Sequence, residues 1–144
     1  MIRKEQADHL HGLPYLKMKK ELIYKSRILG NVPVTISVNR SANKCLYIGL
    51  DKRPDEYGDD YFGSITVNLP GSVPEHCAYV NTNNLSEVLP FLKEYKLAKP
   101  LPVVGESGSC AYPLFQFVIE CLHEYAPEDV KTYLAGTPAV ESEV

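Results

Sequence analysis

The stretch Gly105-Glu106-Ser107-Gly108-Ser109-Cys110 holds hydroxyl and thiol nucleophiles in a glycine-bracketed turn. Its spacing excludes the standard devices. A nucleophile elbow, G-x-S-x-G, needs glycine where Ser109 stands. A phosphate-cradling loop needs a Gly-Lys-Ser/Thr ending that is absent. Gly105 and Gly108 match the G-x-x-G spacing of an RNA-clamping loop, but such loops take basic neighbours and Glu106 is acidic. What remains is a tight connection whose glycines supply positive φ. Cys110 or Ser107 can act as a nucleophile only with a histidine beside it. His9, His11, His76 and His123 are the candidates, and no motif ties any of them to a cysteine. His76-Cys77 and Cys121-x-His123 could pool zinc ligands, yet their spacing matches no familiar site. No metal or cofactor is expected.

The densest acidic cluster runs from Asp51 through Asp55, Glu56, Asp59 and Asp60, interleaved with Tyr57 and Tyr61. A calcium loop needs alternating oxygen ligands, a central glycine and a closing glutamate, which do not occur together here. A pair of catalytic carboxylates needs a rigid placement that a loop alone does not supply. Carboxylates mixed with tyrosines do suit a basic protein groove, with the rings as anchors and the charges steering. Asp55, Glu56, Tyr57, Asp59, Asp60 and Tyr61 are therefore the candidate partner-binding residues. A nucleic-acid reading rests instead on Arg3, Lys4, Lys17, Lys19, Lys20, Lys25, Arg27, Arg40 and Lys44, which are dispersed rather than packed into one recognition element.

The elements that must position these groups follow from periodicity. Leu10, Leu13 and Leu16 suggest a short helix or basic arm over residues 1–20, interrupted by Gly12 and Pro14. Val32, Val34, Ile36 and Val38 alternate with polar residues, as a strand with one dry face does. The preceding strand spans Glu21 to Leu29 with Gly30-Asn31 as its turn, and a polar turn over 39–44 leads into a strand bearing Leu46, Ile48 and Leu50. Asp51 to Gly63 reads as a loop. Ile65, Val67 and Leu69 mark one further strand, and Cys77 to Val80 another.

Asn84 and Glu87 form a capping-box-like start to a helix over about 84–95, whose apolar face is Leu85, Val88, Leu89 and Leu92. Pro90 requires that helix to begin late or bend. Pro100 and Pro102 allow only an edge strand or a connector. Residues 113–125 fit both periods; strand-favouring types predict a strand to about Ile119 and a helical turn after it. A last helix covers Pro127 to Leu134, and the tail over 136–144 is expected to be disordered. The short turns favour antiparallel pairing. The fold class is α+β: an antiparallel sheet of about five or six strands, one main helix and a short C-terminal helix, forming a single domain over residues 21–135.

With 144 residues, 44% of them hydrophobic and 23% charged, a core can form without disulfides. No run of about 18 uncharged apolar residues exists to cross a membrane. No apolar stretch follows the basic start, so a cytoplasmic protein with reduced, mostly buried cysteines is expected. The net charge of −3 conceals a split: +7 from Met1 to Arg53 and −10 from Pro54 to Val144. Such a split points either to polar partners or to two halves that neutralise each other in the fold.

Tyr47-Ile48-Gly49-Leu50, Thr66-Val67-Asn68-Leu69-Pro70, Ala78-Tyr79-Val80-Asn81-Thr82-Asn83-Asn84, Gly105-x-Ser107-Gly108 and Tyr112-Pro113-Leu114-x-x-Phe117 together resemble a family of small bacterial proteins of unknown function. That family is associated with plasmids, phages and conjugative elements of gut bacteria. The resemblance covers roughly Leu46 to Leu122 and departs from the family pattern at Lys96, where glycine often follows the helix. It supplies no catalytic residues. It implies an accessory protein of a mobile element, of a kind that often inhibits host defence.

Charge and resemblance together lead to a non-enzymatic protein-binding protein, most concretely an inhibitor of a host defence nuclease with a basic groove, of anti-CRISPR or antirestriction type. Two alternatives stay open: a small cysteine- or serine-dependent enzyme using the Gly105–Cys110 turn, and a nucleic-acid accessory factor acting through the basic N-terminal third.

Overall fold

The alternation on either side of Asn39-Arg40 produces the first of two antiparallel sheets in the computed structural model, which describes residues 19–136. The expected arm lies outside the described residues up to residue 18, as does the expected tail from residue 137. Strands β1 (Leu22–Ser26), β2 (Gly30–Arg40), β3 (Leu46–Lys52) and β4 (Tyr61–Ser64) are hydrogen-bonded in sequence order. The second sheet contains β5 (Thr66–Val67), β6 (Cys77–Val80), β7 (Ala98–Ser107) and β8 (Cys110–Phe117) in the order β5-β6-β8-β7. Helices α1 (Val88–Glu94), α2 (Ile119–Tyr125) and α3 (Pro127–Leu134) complete the described residues.

The class is α+β, but the single sheet of five or six strands is corrected to two sheets of four. The expected strand over Ile65, Val67 and Leu69 is broken at Ile65, where the chain leaves one sheet for the other. Side chains replace the ladder there. The Ser64 hydroxyl donates to the Thr66 carbonyl at 2.7 Å, and the Ile48 N–H donates to Thr66 Oγ1 at 3.1 Å. Ile65 bonds both ways, its N–H to the Ile48 carbonyl at 2.9 Å and its carbonyl to the Asn81 N–H at 2.8 Å. Both sheets and the helices share one core, including Ile36, Ile48, Leu50, Val80, Phe91, Leu97, Phe117, Leu122 and Val130. Each aliphatic side chain so buried contributes about 1.5–3 kcal/mol.

The first hairpin turn and the cap of the main helix differ from the reading of the sequence, whereas the late start that Pro90 requires is found. The first hairpin turns over Arg27-Ile28-Leu29, with Ser26 opposite Gly30, because the Ser26 hydroxyl accepts from the N–H groups of Ile28 and Leu29 at 3.2 and 3.0 Å. Helix α1 begins late, at Val88, so Pro90 sits at its third position, where the N–H has no intrahelical partner to lose. Starting at Asn84 would have placed Pro90 where that bond is required. The expected capping box is therefore absent: the Asn84 side-chain amide donates to Asn81 Oδ1 at 3.1 Å, and the Glu87 carboxylate accepts from the Arg27 N–H at 3.1 Å. The prolines of β7 fall, as expected, on an edge strand. Residues 110–125 divide as strand then helix, with Val118 between them.

Candidate functional site

The acidic segment is narrower and more ordered than a thirteen-residue loop. Asp51, Lys52 and Tyr61 belong to β3 and β4, leaving 53–60 as the connection. It is closed by Lys52 N–H to the Asp60 carbonyl at 2.7 Å and by Asp55 N–H to the Asp59 carbonyl at 3.1 Å. Asp55 Oδ1 accepts from the N–H groups of Tyr57 at 2.8 Å and Asp59 at 3.0 Å, and these bonds hold its carboxyl below the usual range. Gly58, at φ +82°, makes the reversal that lets its N–H reach the Asp55 carbonyl at 2.9 Å. Asp59 Oδ1 accepts from the Tyr61 N–H at 3.2 Å, and Lys52 Nζ donates to the Asp59 carbonyl at 2.7 Å.

These bonds sort the six candidate residues. Asp55 and Asp59 hold the loop's shape, while Glu56, Tyr57, Asp60 and Tyr61 are presented outward. Tyr57 is 85% and Tyr61 56% exposed, large values for aromatic rings. Asp60 also borders a polar cleft of about 410 Å³ whose wall includes Thr35, Ser37, Asn39, Asp51 and Asp129.

Partial burial, and then the charge of Asp60, push the Asp51 carboxyl up; Lys19 opposes this and Asp129 adds to it. A raised folded-state value means that the fold disfavours the carboxylate. Asp51 therefore favours folding below the ordinary aspartate range, about pH 4, and loses that contribution as pH rises through its folded value. Asp51→Asn should raise the unfolding free energy at neutral pH, by no more than about 0.5 kcal/mol after solvent screening. The gain should vanish in acid, which paired unfolding curves would detect.

No hydrogen bond or ring contact among the described residues joins the catalytic-looking stretch to His76 or His123, and His9 and His11 lie outside the described residues. The neighbouring Cys110 side chain, and then desolvation, raise the Tyr112 hydroxyl. His76 Nδ1 lies 3.0 Å from the Tyr133 hydroxyl. Gly105 to Ser107 continue β7, and Gly108-Ser109 form a two-residue hairpin with Gly108 at φ +62°. No hydrogen bond or ion pair among the described residues joins this hairpin to the acidic loop. No group of three His, Cys, Asp or Glu side chains among them could hold a metal ion. The cysteines are free, but only Cys77 is fully buried; Cys45, Cys110 and Cys121 are partly exposed, because each stands at an element end or on a helix flank.

The charge split resolves into ion pairs between the halves. Lys19 meets Asp129 at 3.1 Å, Lys20 Glu124 at 3.2 Å, Lys25 Glu94 at 3.4 Å, Arg27 Glu87 at 3.7 Å and Arg40 Glu75 at 2.9 Å. Arg53 pairs within the first half, with Glu21 at 2.6 Å. Among the described residues of the basic third, Lys19, Lys20, Lys25, Arg27 and Arg40 are thus matched by acids of the second half. Sequence reasoning missed a different basic feature. Lys93, Lys96 and Lys99 stand around an apolar groove, although all three lie in the acidic half of the chain. Their spacing of three residues was a visible signal.

A family model for a domain of unknown function (DUF4313) matches residues 35–137, and the chain belongs to that family. The match extends beyond both ends of the 46–122 stretch that carries the resemblance. No curated protein and no solved structure matches the chain. No helix among the described residues is long and apolar enough to cross a membrane.

Proposed function

We propose that this member of the DUF4313 family is a non-enzymatic binding protein that presents the 53–60 loop to a basic groove on a protein partner. The observation that carries the reading is the loop's division of labour. Asp55 and Asp59 fix its backbone, so Glu56, Tyr57, Asp60 and Tyr61 are displayed with little ordering left to lose on docking. Tyr57 serves as the anchor and the carboxylates provide orientation and on-rate. A nuclease whose nucleic-acid groove is basic is the partner class that best fits an acidic, tyrosine-bearing knob, and inhibition of a host defence nuclease by a mobile-element protein is the sharpest form of the proposal. The nucleic-acid alternative is weakened by the pairing of Lys20, Lys25, Arg27 and Arg40 with acids of this same chain.

Affinity capture with the wild-type chain should recover a partner with a basic groove, and expression should relieve phage or plasmid interference. Tyr57→Ala should weaken the recovered complex about 10–100-fold while the circular dichroism stays unchanged. Identical recovery by both proteins, together with undiminished interference, would sink the reading.

A further inference from the structure

A groove of about 670 Å³ lies between α1 and the second sheet. Its apolar wall includes Leu89, Leu92, Pro100, Phe115 and Val118, and Leu89 remains 42% exposed there. Lys93, Lys96 and Lys99 border it, and no ion pair among the described residues engages any of them. These are three of the four bases in the otherwise acidic stretch from Pro54 onward, so their convergence on one apolar groove is a local inversion of charge.

Lys96 supplies a second observation. It follows α1 at φ +56°, the left-handed conformation that glycine adopts without a side-chain penalty. The Lys96 N–H donates to the Lys93 carbonyl at 3.2 Å and the Leu97 N–H to the Leu92 carbonyl at 2.9 Å, the bond pair of a Schellman cap. Glycine would make the same cap with less strain. A lysine held there at a backbone cost, with its ammonium beside the groove, points to a use for the charge.

We infer that this groove binds a free apolar anion, an acyl-chain carboxylate whose chain lies on the Leu89–Phe115–Val118 surface and whose head group meets Lys93, Lys96 and Lys99. The volume lies within the range of about 300–1,000 Å³ for small-molecule sites. Charge complementarity selects an anion over a neutral lipid. A recess between a helix and a strand suits a single chain rather than a bilayer. An added peptide strand is disfavoured because Pro100 and Pro102 remove N–H donors from the edge strand β7. The inference does not depend on the acidic loop.

The test uses the full chain titrated with dodecanoate, dodecanol and dodecyltrimethylammonium below their micellar concentrations, followed by amide chemical shifts. Dodecanoate should move the amides of Leu89 to Lys99 and Phe115 to Val118 and bind at least about tenfold more tightly than the other two, the scale of one charge-assisted contact. Lys96→Gly should raise the thermal midpoint while weakening dodecanoate about fivefold, within the same scale. Lys96→Gln should weaken binding equally without the stability gain. Equal affinity for the three head groups, shifts elsewhere, or an unchanged affinity in Lys96→Gly would overturn the assignment. So would binding to anionic vesicles in place of monomeric dodecanoate, or self-association that shifts these same amides.

Discussion

Asp129→Ala should lower stability by about 3–5 kcal/mol, the usual consequence of removing one member of a largely buried ion pair. Strand β1 pairs with β2 only as far as Leu22 opposite Val34, and among the described residues no strand neighbours the later part of β2 on that side. Asp129 on α3 takes over, its Oδ2 accepting from the Val38 N–H at 3.0 Å and from Lys19 Nζ at 3.1 Å. Lys19 Nζ in turn donates to the Ile36 carbonyl at 3.0 Å. An ion pair thus substitutes for two rungs of a ladder, with side chains only 9% and 16% exposed. Asp129→Asn keeps an acceptor for Val38 and should lose less. Chemical denaturation would measure both, and amide exchange at Val38 should accelerate in the alanine variant. A loss below about 1 kcal/mol would mean that α3 docks by apolar contact alone.

That arrangement marks where the sequence stops being legible. Alternation along Val34, Ile36 and Val38 identifies β2 and its buried face, because one strand's period is a local property. The same holds for α3 at Pro127–Leu134 and for the change from strand to helix near Val118. What covers the far edge of β2 is a contact between residues 91 positions apart, and no periodicity encodes it. The division into two sheets was hidden for a related reason. Residues 64–69 alternate without interruption, yet Ser64 and Thr66 divert the ladder with their own hydroxyls. The acidic loop was visible by composition, whereas the roles of Asp55 and Asp59 inside it depend on bonds spanning two to four residues. The charge split was visible as well. Its meaning was not, because pairing across the halves is set by topology.

The consequence for function is a redistribution of interest. Pairing accounts for Lys19, Lys20, Lys25, Arg27 and Arg40, and two charged features stand apart from those pairs: the 53–60 loop and the lysine-bordered groove. These are surfaces of opposite sign on different elements, one a projecting knob and the other a recess.

Gly105→Val should be the most damaging change in the stretch that looks catalytic, and for a reason unrelated to chemistry. A Cβ at position 105 would lie 2.7 Å from Tyr79 Cε1 and 2.8 Å from Leu69 Cδ1, closer than carbon atoms approach without displacement. A side chain at position 105 would therefore have to displace the Tyr79 ring and the Leu69 methyl. Overpacking of this kind costs about 1–3 kcal/mol for the first carbon, and a branched side chain should reach the upper end or exceed it. The neighbouring Gly108 meets nothing within 4 Å, so Gly108→Ala should lose only about 1 kcal/mol, from its positive φ. If the clash with Tyr79 is the cause, combining Gly105→Ala with Tyr79→Ala should cost less than the two single changes added together, and a double-mutant cycle on urea midpoints reads that difference. An additive cycle would place the strain on Leu69 instead. A folded Gly105→Val protein that has lost partner binding would return the stretch to consideration as a site.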